Sequence, residues 1–134
     1  AGTGAIGIEA ISRGASHATF VDRSRRSCPL IEENLDALAV PEEQTEVLSL
    51  SAENFAGRQH AEGWDIVFFD PPYAMNYSPV LHEFGTAASR LLNDGGVLVV
   101  EHHAKTELPD AVGHIRRWRI LKQGETRLSF YDRS

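Results

Sequence analysis

The distribution of hydrophobic positions along the chain predicts strands that alternate with helices. Apolar runs of strand length occur at residues 18–21, 46–50, 66–69 and 97–100. The runs at 66–69 and 97–100 contain no polar residue, which is typical of strands buried on both faces. The run at 46–50 alternates between polar and apolar residues, as a half-buried strand does.

The stretches between these runs have the apolar spacing of helices. Gly14 is expected to end the first helix as its C-cap, and Ser24 to begin a long second helix that ends before Pro41. A short helical turn is predicted at residues 51–55, and a further helix has Pro79 in its first turn. The apolar stripe of this last helix contains Val80, Leu81, Phe84, Ala87, Ala88, Leu91 and Leu92, and a turn follows at residues 93–96.

The last part of the chain has the pattern of a β-hairpin. Residues 115–122 and 126–131 alternate roughly between polar and apolar side chains, and Gly124 lies in the turn between them. Because helices alternate with strands before this hairpin, we predict an α/β fold whose mostly parallel sheet ends in an antiparallel strand.

Composition and charge limit the possible functions. The length of 134 residues suits a single domain over residues 1–134, and the apolar runs are too short to span a membrane. One cysteine, Cys28, cannot form an internal disulfide, which fits a reducing cytoplasm. The net charge of −6 argues mildly against nucleic acid as a partner. Basic residues nevertheless cluster in two places, as Arg23, Arg25 and Arg26 and as Arg116, Arg117, Arg119 and Lys122.

A glycine-rich turn opens the chain. Gly2, Gly4 and Gly7 match the G-x-G-x-x-G pattern, in which glycines let a ligand approach the backbone at a helix N-terminus. Asp22 follows the first glycine by about 20 residues, where such folds bind ribose hydroxyls. Glycine-rich turns also occur for packing reasons alone. Such a turn normally follows a buried strand, so we expect that the chain, which begins at Ala1 without Met, lacks its first strand.

The most distinctive stretch is Asp70-Pro71-Pro72-Tyr73, directly after the apolar run 66–69. The prolines cannot continue a sheet ladder, and they stiffen a loop that carries a carboxylate and an aromatic ring. Ligands of open α/β sheets bind beyond the carboxyl ends of the strands, which is where this loop is predicted to lie. The structural alternative is a rigid turn with a capping Asp and a packed Tyr.

Two adjacent histidines, His102 and His103, follow Glu101 at the end of the run 97–100. Neighbours on an extended chain point to opposite faces, so we interpret them as a polar strand end and expect no metal site.

In the order of its motifs, the chain resembles the class I S-adenosylmethionine-dependent methyltransferases. These motifs are the glycine turn with the Ile-Ser-Arg-Gly-Ala sequence at residues 11–15, then Asp22, the Asp70–Tyr73 loop and the closing hairpin. More narrowly, they resemble the bacterial 16S ribosomal RNA guanine-N2 methyltransferases of the RsmD type. The resemblance covers essentially the whole chain. It implies a Rossmann-like fold with helices on both faces of the sheet, S-adenosylmethionine as cofactor, and 16S ribosomal RNA or a small-subunit particle as partner.

The resemblance also implies roles for single residues. Asp22, with Arg23 beside it, is expected at the ribose of the cofactor, while Ser51 and the backbone of Ala52 take the position that meets the adenine. Asp70, which is also expected to border the cofactor, and the carbonyl oxygen of Pro71 would hold the target amino group. The remaining expected site residues are Ala1, Gly2, Thr3 and Gly4 at the methionine half of the cofactor, with Pro72 and the base-stacking Tyr73 in the catalytic loop.

Three other functions fit part of the sequence. The glycine turn and Asp22 also fit an oxidoreductase that binds NAD(P) or a flavin, although hydride transfer does not need the Asp70–Tyr73 loop. The same loop also serves enzymes that methylate adenine or protein glutamine. A cofactor-binding or assembly module without catalysis is the third. We expect a monomer that acts in the cytoplasm and not at a membrane.

Overall fold

The computed structural model describes residues 4–58, 63–71, 76–86 and 91–133. The chain forms two compact units, Ala1–Phe55 and Ala56–Ser134. The predicted single domain over residues 1–134 stays a prediction. None of the described helices has the length and apolar character that a membrane-spanning segment needs.

The first unit is built on a parallel pair of strands. Its elements are α1 (Ala5–Ser12), β1 (Ala18–Asp22), α2 (Ser27–Ala37), a 3-10 turn (Glu42–Gln44), β2 (Thr45–Ser49) and α3 (Ala52–Ala56), which crosses the boundary between the units. β1 and β2 are parallel, with Asp22 opposite Ser49. The helix–strand alternation that the sequence predicts in this region is confirmed.

Phe20 is the centre of the first unit's core. It is buried together with Ile31 and Leu35 of α2. A β-carbon on Gly7 would lie 2.3 Å from Cε1 of the Phe20 ring, far inside van der Waals contact. Gly7 therefore lets α1 pack directly on β1, which is the packing role that the third glycine of this pattern has in dinucleotide-binding folds.

The second unit contains a five-stranded sheet. Its elements are β3 (Trp64–Phe69), α4 (Ser78–Gly85), β4 (Leu92–His103), β5 (Ala111–Val112), β6 (Ile115–Gln123) and β7 (Thr126–Arg133). The order of the strands is β3-β4-β7-β6-β5. β3 and β4 are parallel, whereas the other neighbouring pairs are antiparallel.

The closing hairpin forms as predicted. β6 and β7 pair through Gln123 and Thr126, and Gly124 in the turn has φ +59°. Since an L side chain rarely adopts this conformation, glycine at this position specifies the turn. The α/β class with parallel pairs and an antiparallel C-terminal hairpin is confirmed.

The prediction that residues 66–69 and 97–100 are fully buried is wrong. Ile66 is 71% exposed, and Val97 and Val99 are half-buried, while Leu98 and Val100 are fully buried. β3 is the edge strand of the described sheet, and alternate residues of β4 face opposite sides of it. One side is therefore buried and the other remains partly accessible.

The predicted turn at residues 93–96 lies inside β4. Between Trp64 and Ile66 the β3–β4 register shifts from Leu92 to Val97, and Gly95 has φ +80° within this irregularity. Gly95 and Gly96 therefore lie in a β-bulge within β4 and do not end the strand. Leu92, predicted on the last helix, begins β4.

Two helix boundaries also differ from the prediction. α2 begins at Ser27 and ends at Ala37, well before Pro41, and Ser24 precedes it in a turn where its hydroxyl accepts a hydrogen bond from the Arg26 N–H at 3.2 Å. α4 is described from Ser78 to Gly85 and buries Val80, Leu81 and Phe84. The predicted helical positions Ala87 and Ala88 lie outside the described residues.

Candidate active site

The glycine turn begins α1. Gly4 has φ +83°, and its carbonyl oxygen accepts the first helical hydrogen bond, from the Ile8 N–H at 2.9 Å. Among the described residues no side chain caps this helix. The amides of its first turn are the donors that a helix N-terminus offers to an anionic group.

Asp22 ends β1 with its carboxylate held in a turn. One carboxylate oxygen accepts a hydrogen bond from the Ser24 N–H at 2.8 Å, and the Cys28 thiol donates to the Asp22 carbonyl oxygen at 3.7 Å. Arg23 is exposed beside it. The hydrogen bond from Ser24 orients the carboxylate, and the thiol contact binds the backbone of Asp22 to the start of α2.

Ser51 lies at the same edge of the first unit as Asp22. The parallel register pairs Asp22 with Ser49, two residues before Ser51. The Ser51 hydroxyl accepts a hydrogen bond from the Asn54 N–H at 3.1 Å, so it caps α3, whose first residue is Ala52. The first unit thus brings Asp22, Ser51 and Ala52 together at the carboxyl ends of its two strands.

In the second unit, Asp70 and Pro71 directly follow β3, as predicted. Asp70 is exposed and Pro71 is buried. The expected site residues Pro72 and Tyr73, like Ala1, Gly2 and Thr3 in the first unit, lie outside the described residues.

Glu101 joins Asp70 at this edge, which the sequence analysis did not foresee. The parallel register pairs Phe69 with Val100, so the next residues, Asp70 and Glu101, are neighbours on adjacent strands. A hydrogen bond with the Asp70 carboxyl group raises the pKa of Glu101, and partial burial and the negative charge of Asp70 raise it further. The sequence contains a signal for this pair, since the apolar runs 66–69 and 97–100 are each followed directly by an acidic residue. Parallel strands bring their carboxyl ends together, so these two acids could have been expected to be neighbours.

Tyr77, the residue before α4, packs behind this pair. Its ring is buried, and its hydroxyl donates to the Glu101 carbonyl oxygen at 3.4 Å. The ring meets Phe69 and His102 edge-on, at centroid distances of 6.0 and 6.3 Å. Tyr77 therefore links the ends of β3 and β4 and supports the backbone that carries the two carboxyl groups.

His102 is buried and has a structural hydrogen-bond network. Its Nδ1 lies 3.2 and 3.1 Å from the carbonyl oxygens of His103 and Thr106, so this nitrogen carries the proton and donates. Its Nε2 accepts from the Ser129 hydroxyl at 2.8 Å, and Ser129 accepts from Arg117 at 3.2 Å. Burial is the main cause that lowers the pKa of His102, which keeps the ring neutral.

His103 faces away from this network. Its Nδ1 accepts from the Lys105 N–H at 3.0 Å, and its Nε2 lies 3.6 Å from the Glu125 carboxylate. In the part of the chain that the structure describes, no three metal-ligating side chains come together.

Comparison with known proteins gives the family. The family described as "Conserved hypothetical protein 95" matches residues 1–132. YlbH of Bacillus subtilis (strain 168), whose name provisionally assigns it as an rRNA methyltransferase, is 32% identical over 99% of this chain and 72% of its own length. The Haemophilus influenzae protein named ribosomal RNA small subunit methyltransferase D is 29% identical over 98% of this chain and 66% of its own length. The chain thus spans about two thirds of these relatives.

Solved structures give the fold. The Escherichia coli protein yhhF, named provisionally as a methyltransferase, is 26% identical with a TM-score of 0.80 over 98% of this chain and 71% of its own. A Streptococcus mutans protein named as a SAM-dependent methyltransferase has a TM-score of 0.75 at 14% identity, over 96% of this chain and 42% of its own, which shows the fold alone. The predicted resemblance is confirmed: this chain belongs to the Conserved hypothetical protein 95 family and has the α/β fold of S-adenosylmethionine-dependent methyltransferases.

Proposed function

We propose that this protein transfers a methyl group from S-adenosylmethionine to the exocyclic N2 of a guanine in 16S ribosomal RNA, in the cytoplasm. The observation that carries the proposal is the Asp70–Pro71 segment at the carboxyl end of β3, in a chain whose relatives are named rRNA methyltransferases.

The residues of the first unit fit the proposed cofactor. Asp22 offers an oriented carboxylate that can accept hydrogen bonds from the ribose hydroxyls. The amides of the first turn of α1, after Gly4, suit the negative carboxylate of the methionine half. Because the Ser51 hydroxyl already caps α3, we assign the adenine contact to the backbone of Ala52.

The residues of the second unit fit the proposed reaction. When bound, S-adenosylmethionine supplies an electrophilic sulfonium methyl group. An exocyclic guanine nitrogen is a weak nucleophile, because its lone pair is delocalised into the ring. Asp70 and the Pro71 carbonyl oxygen would accept hydrogen bonds from the two N–H groups of this nitrogen. These contacts would favour the geometry in which its lone pair can attack the methyl group. The gain comes from orientation and from fixed charge, which need no metal ion.

The charge distribution of the hairpin supports RNA as the partner. β6 and β7 together carry six of the thirteen Lys and Arg residues of the chain but only one of its nineteen Asp and Glu residues. Arg116, Arg119 and Lys122 are exposed on β6, and Trp118 between them is 50% exposed. Cations that neutralise phosphates and an accessible ring that can stack on a base are typical of RNA-binding surfaces.

The experiment is methyl transfer from labelled S-adenosylmethionine to 16S RNA in a small-subunit particle, followed by nucleoside analysis. We expect the label in N2-methylguanosine. Label in methyladenosine or in protein instead would overturn the proposed substrate. A thermal shift with NAD but none with S-adenosylhomocysteine would overturn the cofactor and favour the oxidoreductase alternative, which Asp22 and the glycine turn also fit.

A further inference from the structure

We propose that Glu101 is a positioning residue for this methyl transfer: it pairs with Asp70, and the carboxyl pair accepts the proton that leaves the target amino group. The inference rests on the proposed function and adds a residue to it. It comes from the strand register, which makes the residues that follow Phe69 and Val100 neighbours.

The backbone around Glu101 is rigid, as a positioning role requires. Its strand β4 lies between β3 and β7, with Glu101 opposite Leu128 of β7. The Tyr77 hydroxyl also donates a hydrogen bond to the Glu101 carbonyl oxygen at 3.4 Å. Asp70 by contrast is exposed and follows the end of its strand. The hydrogen bond between Glu101 and Asp70 therefore ties the Asp70 carboxyl group to a strand in the interior of the sheet.

The reaction balances with this pair as the proton acceptor. The lone pair of the amino nitrogen forms the new N–C bond, and the S–C bond breaks with its electron pair moving to sulfur. The nitrogen then carries one positive charge and loses one proton to the Asp70 carboxylate. The proton is shared with Glu101 before it passes to solvent.

Few other charges act on Glu101 among the described residues. The carboxyl group of Asp70 is its charged neighbour on the β3 side, and β7 presents the apolar Leu128. Arg127, the next residue along β7, is opposite His102 and donates to the carbonyl oxygens of Gly124 and Thr126. Glu101 and Asp70 therefore interact mainly with each other, through the repulsion between their negative charges and through the hydrogen bond that they share.

The interaction between Glu101 and Asp70 also affects the stability of the protein, which can be measured without an activity assay. Since the pKa of Glu101 is raised, the folded protein binds a proton that the unfolded chain has already released above its ordinary value of 4.5. The pair therefore lowers stability as the pH rises through this region. Glu101→Gln keeps the shape of the side chain and removes the second charge, so we expect a higher Tm than the wild type at neutral pH.

The test compares wild type, Glu101→Gln and the exposed control Glu107→Gln in methyl transfer as a function of pH. For Glu101→Gln we expect kcat to fall about tenfold, with the KM for RNA and for S-adenosylmethionine within about twofold, because a positioned base acts in the transition state. We also expect the acid limb of the kcat profile to move to lower pH, since the raised pKa of Glu101 then no longer contributes to it. Glu107→Gln should match the wild type in each measurement.

An unchanged kcat and acid limb in Glu101→Gln would overturn the inference. So would a lower kcat with an unmoved acid limb and a lower Tm, since these together indicate a purely structural role. Failure of the proposed function gives a different result, because the wild type itself would then transfer no methyl group while the Tm difference between wild type and Glu101→Gln remained measurable.

Discussion

At the scale of single residues, the missing side chain of Gly7 and the carboxylate of Asp22 determine the local structure around β1. At Gly7 the Phe20 ring occupies the space that a side chain would need. Asp22, at the end of the same strand, keeps its orientation through the turn to Ser24. Packing of Gly7 on Phe20 thus acts on the middle of β1, and hydrogen bonding at Asp22 acts on its end, which carries the proposed ribose contact.

Gly7→Ala should destabilise the protein by about 1–3 kcal/mol, the usual cost of overpacking a core. The new methyl group would force the Phe20 ring away from α1. Chemical denaturation measures the change. Ala10→Ser on the exposed face of α1 is the matched control and should change the stability by no more than about 0.5 kcal/mol. Equal stability of Gly7→Ala and this control would contradict the packing role.

Residue types were visible in the sequence, but the neighbours of each residue were not. Asp70 and Asp22 could be predicted because each directly follows an apolar run, and the structure puts both at strand ends. Glu101 was interpreted as part of a polar strand end, because its role depends on which strand is adjacent and in which register. A pairing between residues 31 positions apart leaves no mark in local periodicity.

At the scale of elements, β4 combines two environments along one strand. Leu98, Val100 and His102 face the buried side, and Val97, Val99 and Glu101 face the accessible side. The buried side ends in the hydrogen bond between His102 and Ser129, which fixes β4 to β7. The accessible side ends in the carboxyl pair.

Because His102 is buried with a lowered pKa, it makes stability depend on pH. The unfolded chain takes up a proton on this histidine below pH 6.5, while the folded protein keeps the ring neutral to lower pH. We expect the free energy of unfolding to fall as the pH drops below 6.5, by up to about 1.4 kcal/mol per pH unit from this group.

His102→Asn should flatten this dependence between pH 7 and 5.5, and should also cost about 1–3 kcal/mol at pH 7, because asparagine cannot satisfy both carbonyl oxygens and Ser129. Denaturant unfolding at several pH values measures both effects. The exposed His82→Asn is the control and should keep the slope of the wild type. An equal slope in His102→Asn would show that another group carries the pH dependence.

The order and type of most elements followed from periodicity and turn residues, and the closing hairpin is the clearest case. The burial of each strand did not follow, because it depends on what covers each face of the sheet. Ile66 shows this: an uncharged run predicted a buried strand, and the position is 71% exposed at the edge of the described sheet. Composition cannot distinguish a run buried on both faces from one that is covered on a single face.

At the scale of the whole molecule, each unit carries one part of the proposed chemistry. The first unit holds the residues assigned to the cofactor, and the second holds the carboxyl pair and the basic hairpin assigned to the RNA. An overall charge of −6 argued mildly against nucleic acid. The cations on β6 and β7 nevertheless give the proposed RNA partner a locally positive surface.

The most direct test of the central claim is methyl transfer to 16S RNA by wild type and Asp70→Asn, with binding of S-adenosylhomocysteine measured in parallel. We predict that Asp70→Asn lowers kcat by a factor of about 10²–10⁴ and leaves the affinity for S-adenosylhomocysteine unchanged, because the lost carboxylate acts on the amino group and not on the cofactor. The exposed Asp65→Asn on the same strand should retain the activity of the wild type. Wild-type activity in Asp70→Asn would contradict the account.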